Sequence, residues 1–264
     1  MSLQKLRKLE ELIEEMGSVL VAFSGGIDSS LVLKVAHETL GARALGVTAA
    51  SPTLPATELE LARRVSAEIG ARHVVIETDQ LEIPEFVRND ASRCYHCKTD
   101  LYQALDTLRQ EMGLMAMVDG TNLDDLSDVR PGITAAREHG VRSPLVDAGL
   151  SKADVRTLAK ELGLSNWDKP AAACLSSRIP HGVTITHGSL SRVERAEETL
   201  LSEGFRQVRV REHGDTARLE VATDDMGRML DPQRRARIAS KLKELGYRYV
   251  TLDLEGYRQG GGNG

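Results

Sequence analysis

The chain has 264 residues, of which 41% are hydrophobic and 28% are charged, and its formal net charge is −5. This length allows one large domain or two modest ones. No apolar stretch of about eighteen residues occurs, which excludes a transmembrane helix, and no long basic run indicates a broad nucleic-acid surface. The N-terminal segment is typical of a charged amphipathic helix rather than a signal peptide, so we expect a cytoplasmic protein.

Apolar runs and helical stripes alternate over the first two thirds of the chain. They predict strands at 19–23, 44–49, 73–77 and 115–119, and helices at 27–40, 55–69, 94–112 and 152–162. This alternation is typical of a parallel sheet with helices on both faces, and so predicts an α/β, Rossmann-like doubly wound fold. Ligands of such sheets bind beyond the carboxyl ends of the strands.

The composition changes after about residue 170. The later pattern predicts a helix at 187–204, strands at 207–211 and 217–221, a helix at 232–245 and a strand at 249–254. We interpret this α-β-β-α-β unit as a small α+β domain. The predicted limits are 1–175 for the first domain and 176–258 for the second, with a disordered tail at 259–264.

The segment Ser24-Gly25-Gly26-Ile27-Asp28-Ser29-Ser30 joins the strand at 19–23 to a helix. Glycines let the backbone approach an anion closely, and a helix N-terminus offers N–H groups to a phosphate. The three serines add hydroxyl donors. A carboxylate beside a phosphate requires a cation between them, so Asp28 indicates Mg²⁺. The segment predicts a nucleotide triphosphate site; the alternative is an ordinary strand-to-helix turn.

This loop lacks the Gly-Lys-Ser/Thr end of a Walker A loop and resembles the PP-loop, SGGxDS, of the ATP pyrophosphatase superfamily. The resemblance implies cleavage of ATP between the α and β phosphates and formation of an adenylated carbonyl. It leaves the substrate open, because the superfamily includes GMP synthetases, NAD synthetases, tRNA thiolation enzymes and sulfur transferases.

The chain has three cysteines, and an odd number argues against a disulfide scaffold. Cys94 and Cys97 form a CxxC, whose spacing lets two thiolates face one metal, and Cys174 follows later. Three thiolates can hold a [4Fe–4S] cluster and leave one iron open. A zinc site would want a fourth ligand, for which His96 is the local candidate. Unrelated thiols, with Cys174 as a small buried hydrophobe, remain the third alternative; we favour the cluster.

Further motifs narrow the resemblance. The chain resembles the LarE family, the ATP-dependent sulfur transferases that build the nickel-pincer nucleotide cofactor of lactate racemase. The resemblance covers nearly the whole chain, and its motifs are Ser24–Ser30, Asp119–Asp125, Arg130-Pro131-Gly132, Ser143-Pro144-Leu145, Cys174–Arg178 and Val208-Arg209-Val210-Arg211.

The resemblance implies that ATP adenylates a carboxylate of pyridinium-3,5-biscarboxylic acid mononucleotide, and that a sulfur nucleophile then displaces AMP to give a thiocarboxylate. In one version of the sulfur step, a cysteine at the Cys174 position gives up its own sulfur. In the other, a CxxC and that third cysteine hold a [4Fe–4S] cluster. The presence of Cys94 and Cys97 fits the cluster version, so all three cysteines are predicted to be cluster ligands and catalytic. The resemblance also implies a homo-oligomer.

The implied binding residues form two groups. We expect ATP and its pyrophosphate to be bound by Ala22, Phe23, Ser24, Gly25, Gly26, Asp28, Ser29, Ser30, Thr48, Gly120 and Arg130, with Asp28 also placing Mg²⁺ and acting in catalysis. We expect the anionic substrate to be bound by Arg178, Arg209 and Arg211. A loop salt bridge for Arg130 and a solvated strand face for Arg209 and Arg211 are the alternatives. For Asp124 and Asp125, a role in the site and a role as helix-capping carboxylates are equally open.

Three rival functions share part of this pattern. Some tRNA thiolation enzymes combine a PP-loop with a three-cysteine cluster, but the net acidity and the small second domain argue against that function. Amidation of the NAD synthetase type uses the loop but assigns no role to three cysteines. A non-catalytic adenylate-binding sensor would bind ATP without releasing pyrophosphate.

Overall fold

The computed structural model describes residues 2–127, 131–170 and 172–258. Contacts divide the chain into two compact units. The first unit is Met1–Gln80 with Ser92–Ala172, and the second unit is Leu81–Ala91 with Ala173–Gly264. The domain limits expected from the sequence stay predictions, and the tail at 259–264 lies outside the described residues.

The helices are α1 (Ser2–Glu15), α2 (Ile27–Leu40), α3 (Ala56–Ile69), α4 (Pro84–Val87), α5 (Arg93–Glu111), α6 (Pro131–Glu138), α7 (Pro144–Asp147), α8 (Lys152–Glu161), α9 (His187–Ser202), α10 (Met226–Met229) and α11 (Pro232–Glu244). The strands are β1 (Val19–Ala22), β2 (Ala44–Ala50), β3 (Arg72–Glu77), β4 (Ala116–Val118), β5 (Val208–His213), β6 (Thr216–Val221) and β7 (Tyr249–Leu252). Short 3₁₀ helices occur at Gly41–Arg43, Gln80–Glu82, Leu123–Ser127, Leu175–Arg178 and Thr223–Asp225. Across the described parts of the chain, no helix has the length and apolar character needed to span a membrane.

The first unit is built on a parallel sheet. Within the described residues this sheet has four strands in the order β3-β2-β1-β4. The α/β, Rossmann-like fold expected from the sequence is confirmed. The chain passes from β1 outward to β2 and β3 and then returns to β4 on the other side of β1. This reversal is a topological switch point, so the loops after β1 and β4 form the crevice where such sheets bind ligands.

The core of the first unit lies on both faces of this sheet, because side chains alternate between the faces along a strand. On β1, Val19 and Val21 are wholly buried in one apolar cluster with Leu31 of α2. Leu20 is wholly buried in a second cluster, which includes Leu105 of α5. The near-continuous apolar run of β1 is typical of a strand covered on both sides.

The second unit is an α+β layer. Its described sheet has the order β5-β6-β7, with β5 antiparallel to β6 and β6 parallel to β7. Gly214, at φ +64°, makes the turn between β5 and β6, where the sequence predicted one. Val210 and Leu219 are paired across these strands and lie in a cluster with Leu200 of α9 and Leu242 of α11. The α-β-β-α-β order is as predicted, with the short helix α10 added.

The segment 81–91 belongs to the second unit although it interrupts the first unit in sequence. No element was predicted there. Asn89 is wholly buried and has a φ of +57°. Its Nδ2 donates to the carbonyls of Pro180 at 2.8 Å and Val183 at 2.9 Å, with the carbonyl of Ile179 at 3.4 Å. These bonds attach the segment to the loop before α9.

Candidate active site

The glycine-rich loop after β1 has the backbone conformation that an anion site requires. Gly25 has a φ of +70°, and a Cβ there would lie 2.9 Å from the Cα of Ala62 in α3. Gly26 is extended and precedes α2, and within the described residues this N-cap position makes no side-chain capping bond. The first N–H groups of α2 are therefore left for an external acceptor. Glycine is required at position 25 by both conformation and space.

The three loop serines differ in exposure and in bonding. Ser24 is exposed, and its Oγ accepts from the N–H of Gly26 at 3.3 Å. Ser29 is buried and donates its hydroxyl to the carbonyl of Gly26 at 3.1 Å. Ser30 is wholly buried, and its Oγ accepts from Nδ2 of Asn166 at 2.9 Å. Ser24 is thus at the surface of the loop, whereas the hydroxyls of Ser29 and Ser30 are buried and bond to Gly26 and Asn166.

Asp28 is held by two side chains that sequence reasoning missed. Its Oδ2 lies 2.5 Å from Nζ of Lys152, and its Oδ1 accepts from Nδ2 of Asn122 at 3.1 Å. Lys152 is the first residue of α8, where Ser151 and Asp154 form a capping box. The Ser-Lys-Ala-Asp pattern could have located that helix start, but not the carboxylate that its lysine contacts. A lysine at this position can neutralise a phosphate.

The loop after β4 packs backbone to backbone on the first turn of α2. A Cβ on Gly120 would lie 2.6 Å from the backbone nitrogen of Ser29. The carboxylate of Asp119 fixes this loop: it accepts from the hydroxyl of Thr121 at 2.7 Å and from that of Ser143 at 2.8 Å. Gly120 therefore adjoins Asp28, as expected for two loops at one switch point.

Asp124 and Asp125 bond to backbone groups. Oδ2 of Asp124 accepts from the N–H of Lys152 at 2.6 Å, and Oδ2 of Asp125 accepts from the N–H of Asn122 at 3.2 Å. These are the capping contacts weighed as the alternative to a direct role. Arg130 lies outside the described residues.

The ends of β1 and β2 are joined through buried side chains. The hydroxyl of Thr48 donates to the carbonyl of Phe23 at 2.7 Å, so His73, with Nε2 at 2.8 Å from the same oxygen, is the donor in that second bond. Burial and the nearby charge of Arg63 lower the pKa of His73, which favours the neutral ring. The Phe23 ring meets the His73 ring edge-on at 5.4 Å. Both hydrogen bonds of the Thr48 hydroxyl are therefore to protein groups. Ala22, which precedes Phe23 in the chain, is half-buried.

The cysteines divide between the units, and none of them forms a disulfide. Cys94 and Cys97 lie three residues apart at the start of α5, which puts both on one helix face. Cys94 is exposed and Cys97 is half-buried. Cys174 belongs to the second unit; it is exposed, and its Sγ lies 2.9 Å from Oγ of Ser176. Among the described residues, no three Cys, His, Asp or Glu side chains converge as a metal-binding group.

The backbone around Cys174 is held by Arg178. This guanidinium is 2% exposed and donates to the carbonyls of Ala173 at 2.7 Å and Cys174 at 2.9 Å. Its other edge makes two bonds with the carboxylate of Glu197, at 2.8 and 2.9 Å. Arg178, which we expected to bind the anionic substrate, thus bonds within the unit and orders the Cys174 loop. Its role toward the substrate stays a prediction.

Arg209 and Arg211 differ in their contacts. Arg211 is buried, with two bonds to Glu220 and one to the carbonyl of Ser177 at 2.8 Å. Arg209 is half-buried and lies over the ring of Tyr257 at 5.0 Å. Burial, followed by the positive charges of Arg178 and Arg211, lowers the pKa of Arg209. Its guanidinium also donates to the carbonyl of Val208 at 2.8 Å and to the hydroxyl of Tyr257 at 3.3 Å. Anion binding by Arg209 stays a prediction.

Comparison with known proteins agrees with this arrangement. Residues 11–110, which include the loop after β1, match the family described as asparagine synthase. The chain is 40% identical to pyridinium-3,5-bisthiocarboxylic acid mononucleotide synthase of Lactiplantibacillus plantarum, over 97% of this chain and 92% of that protein. The chain belongs to the LarE family, that of this synthase.

Similar proteins occur in other organisms. An uncharacterized protein of Synechocystis sp. is 43% identical over 97% of this chain and 96% of its own length. An uncharacterized protein of the archaeon Methanocaldococcus jannaschii is 30% identical over 97% of this chain and 98% of its own length. Both matches include the loop after β1 and the second unit, so the two units occur together in these relatives.

Proposed function

We propose that this chain is an ATP-dependent sulfur transferase that adenylates a carboxylate of pyridinium-3,5-biscarboxylic acid mononucleotide and converts it to a thiocarboxylate. The observation that carries the proposal is the 40% identity, over 97% of the chain, to a protein whose product is the bisthiocarboxylic acid mononucleotide. The uncapped N-terminus of α2 beside Asp28 and Lys152 is the local geometry that supports it.

Adenylation needs an electrophilic α-phosphorus and a stabilised leaving group. The substrate carboxylate oxygen attacks the α-phosphorus, and pyrophosphate leaves with the electron pair of the broken P–O bond. The N–H groups of Gly26 and the first turn of α2 would hold that pyrophosphate, with Lys152 offsetting its charge. Asp28 is the residue that would hold Mg²⁺, which would supply positive charge and Lewis-acid activation to the phosphates.

The chemistry of the thiols fits a [4Fe–4S] cluster in part. Cys94 and Cys97 share one helix face near its start and form no disulfide, as cluster ligands require. Cys174 is an exposed thiol on a loop that Arg178 holds in place. When bound, the cluster would supply the sulfur nucleophile. The adenylate then exchanges its C–O bond for a C–S bond, and AMP leaves with the electron pair.

The second unit would bind the anionic end of the substrate. Arg209 is half-buried, and burial, followed by the nearby charge of Arg178, lowers its pKa; a bound anion would offset this, which supports a role in binding the phosphate of the mononucleotide. Arg178 and Arg211 are buried in pairs with Glu197 and Glu220. We therefore propose that these two arginines hold the surrounding backbone in place rather than bind the phosphate directly. A homo-oligomer stays a prediction of the family resemblance.

The first experiment measures pyrophosphate and product together. Purified protein with ATP, Mg²⁺, a sulfide source and pyridinium-3,5-biscarboxylic acid mononucleotide should release pyrophosphate and AMP and form a thiocarboxylate detectable by mass spectrometry. An amide formed with ammonia instead would favour the NAD synthetase type of reaction. ATP binding without pyrophosphate release would favour the sensor.

The second experiment identifies the sulfur source. Anaerobically prepared protein should contain iron and acid-labile sulfide and show broad visible absorption. Cys94→Ser, Cys97→Ser and Cys174→Ser should each abolish that absorption. Zinc without iron would contradict the cluster. Loss of the elements of hydrogen sulfide from Cys174 during turnover, seen as a lower intact mass, would identify sacrificial donation by that residue.

The third experiment separates this function from tRNA thiolation. The protein should not shift tRNA on a gel at physiological salt. Tight tRNA binding that weakens steeply with salt would contradict our proposal, because such a slope reports phosphate contacts along a nucleic acid.

A further inference from the structure

The side chain of Asn166 lies directly beneath the glycine-rich loop, in the first unit. It is 4% exposed, and it follows α8 in the chain. Its Nδ2 donates to the carbonyl of Gly25 at 2.9 Å and to Oγ of Ser30 at 2.9 Å. The two N–H bonds of one amide therefore connect the loop to the first turn of α2.

The orientation of this amide follows from its partners. A carbonyl oxygen such as that of Gly25 can only accept, so the nitrogen of Asn166 must face it. The remaining Oδ1 is buried and has no hydrogen-bond partner among the described residues. A buried acceptor without a partner is unfavourable. The stabilising contribution of this amide therefore comes from the two bonds that its nitrogen donates, to Gly25 and Ser30.

The bond to Gly25 determines which way one peptide group points. In a trans peptide the C=O and the N–H point in opposite directions. With the carbonyl of Gly25 turned toward Asn166, the N–H of Gly26 points away from it, toward Oγ of the exposed Ser24 at 3.3 Å. That hydroxyl bonds the N–H where an anion would approach.

Nothing intrinsic to two successive glycines selects this orientation. Gly25 has a φ of +70° and no side chain, so its backbone can take either sign of φ. A reversed peptide would aim a carbonyl oxygen, rather than an N–H, at a phosphate. Asn166 donates to the Gly25 carbonyl at 2.9 Å, and the Gly26 N–H donates to Oγ of Ser24 at the longer distance of 3.3 Å. Both bonds disfavour the reversed peptide, and the shorter one, from Asn166, comes from outside the loop.

We propose that Asn166 is a positioning residue of the nucleotide site, whose amide maintains the orientation of the Gly25–Gly26 peptide that offers an N–H to the pyrophosphate portion of ATP. The inference rests on the proposed function, because it assumes that this loop binds ATP. It adds to the site a residue that does not touch the nucleotide. This residue lies 136 positions after Ser30, the last residue of the loop motif.

The test uses Asn166→Asp, which keeps the shape of the side chain and replaces the donor by an acceptor. Calorimetry measures the binding of Mg²⁺-ATP, Mg²⁺-pyrophosphate and AMP to the full chain. We expect the affinities for ATP and pyrophosphate to fall about tenfold or more, and AMP to bind within about twofold of wild type, because the lost N–H faces the leaving phosphates. In turnover, kcat should fall together with a rise in the KM for ATP.

Two further variants keep the inference testable if Asn166→Asp does not fold. Asn166→Ala removes the donor without adding charge and should show the same phosphate-selective loss. Ser30→Ala removes the second partner of the amide but leaves its bond to Gly25, so its effect should be smaller. Equal losses for ATP and AMP, or no loss, would overturn the inference. Wild-type protein that binds neither ATP nor pyrophosphate would overturn the proposed function with it.

Discussion

Lys152 and Asp28 are 124 positions apart in sequence, yet Nζ of Lys152 lies 2.5 Å from Oδ2 of Asp28. Both side chains are partly open to solvent, at 31% and 22% exposure. The pair balances one charge of each sign at the N-terminus of α2. If Asp28 holds Mg²⁺ as proposed, the Lys152 ammonium group would be released from this ion pair and could pair with a phosphate oxygen.

Lys152→Met should slow pyrophosphate release by about a hundredfold, since a cation that faces the leaving group is lost. Lys152→Arg should retain part of the rate, because it keeps the charge with a different shape. Lys34→Met is the matched control: Lys34 pairs with Glu38 at 2.9 Å on the same helix as Asp28. Steady-state assays of pyrophosphate provide the measurement, and equal rates for Lys152→Met and Lys34→Met would remove Lys152 from the mechanism.

Gly25→Ala and Gly113→Ala form a pair that separates conformation from space. Both glycines have a positive φ, +70° and +65°, so either substitution should cost about 1 kcal/mol of folding free energy. Nothing lies within 4 Å of a Cβ at Gly113, whereas the backbone of Ala62 lies 2.9 Å from one at Gly25. Denaturation should show a larger loss of folding free energy for Gly25→Ala than for Gly113→Ala. Of the two variants, only Gly25→Ala should bind Mg²⁺-ATP more weakly than wild type. Similar behaviour of the two variants would contradict the close approach.

Gly120→Ala should impair ATP binding by pushing on the first turn of α2. The added Cβ would lie 2.6 Å from the backbone nitrogen of Ser29, and this backbone cannot move without displacing Asp28. Gly227→Ala is the control, because a Cβ there meets nothing within 4 Å. Calorimetry with Mg²⁺-ATP checks the difference; unchanged affinity in Gly120→Ala would show that the two loops separate freely.

The buried pair of Arg178 and Glu197 should be strongly coupled. Glu197 also accepts from the N–H of Val210 at 3.0 Å. Glu197→Leu leaves a buried guanidinium without its partner and should cost about 3 to 5 kcal/mol. The double variant Arg178→Met/Glu197→Leu should lose less than the sum of the two single losses. Urea denaturation of the four proteins measures the coupling, and additive losses would mean that the two charges are independently solvated.

Stability should depend on Asp154 at acid pH. Its bond with Lys5, followed by those with Ser151, lowers the pKa of Asp154 from 3.8 to about 2. The unfolded chain takes up the proton first, so the contribution is present above about pH 4 and is lost as the pH falls toward 2. The pair is partly exposed, so its size should be about 1 kcal/mol or less. As the pH falls through this window, the free energies of unfolding of wild type and Asp154→Asn should converge. A difference that stays constant with pH would mean that Asp154 is not the titrating group.

The sequence predicted the position of the loop and the alternation of strands and helices because both depend on local signals. The apolar run of β1 lies between Gly17 and Gly25, and that of β2 follows Gly41. The apolar spacing in α2 follows the helical period. Strand ends moved by one or two residues, as at His213, where pairing with β6 extends β5 beyond the predicted Arg211. Ladder partners decide such ends, and they are distant in sequence.

The support beneath the loop could not be predicted in this way. Asn122, Lys152 and Asn166 reach Asp28, Gly25 or Ser30 across 94 to 141 positions. None of them has a local pattern that specifies its partner, since asparagine and lysine are ordinary in surface loops and helix starts. The same holds for the partners of two arginines: Glu197 and Glu220, which pair with Arg178 and Arg211, are identified only by tertiary packing, and substrate binding by these arginines stays a prediction.

The attachment of Asn89 to the loop before α9 has a consequence for the topology of the whole chain. The chain leaves the first unit after Gln80, returns at Ser92 and leaves again after Ala172. A single cut after residue 172 would therefore leave the whole first unit, together with residues 81–91 of the second unit, in one fragment. The other fragment would lack residues 81–91 and so would hold an incomplete second unit. The longer fragment would carry Asn89 away from the carbonyls of Pro180 and Val183. Neither unit is one continuous stretch of sequence, so no single cut separates the two units cleanly.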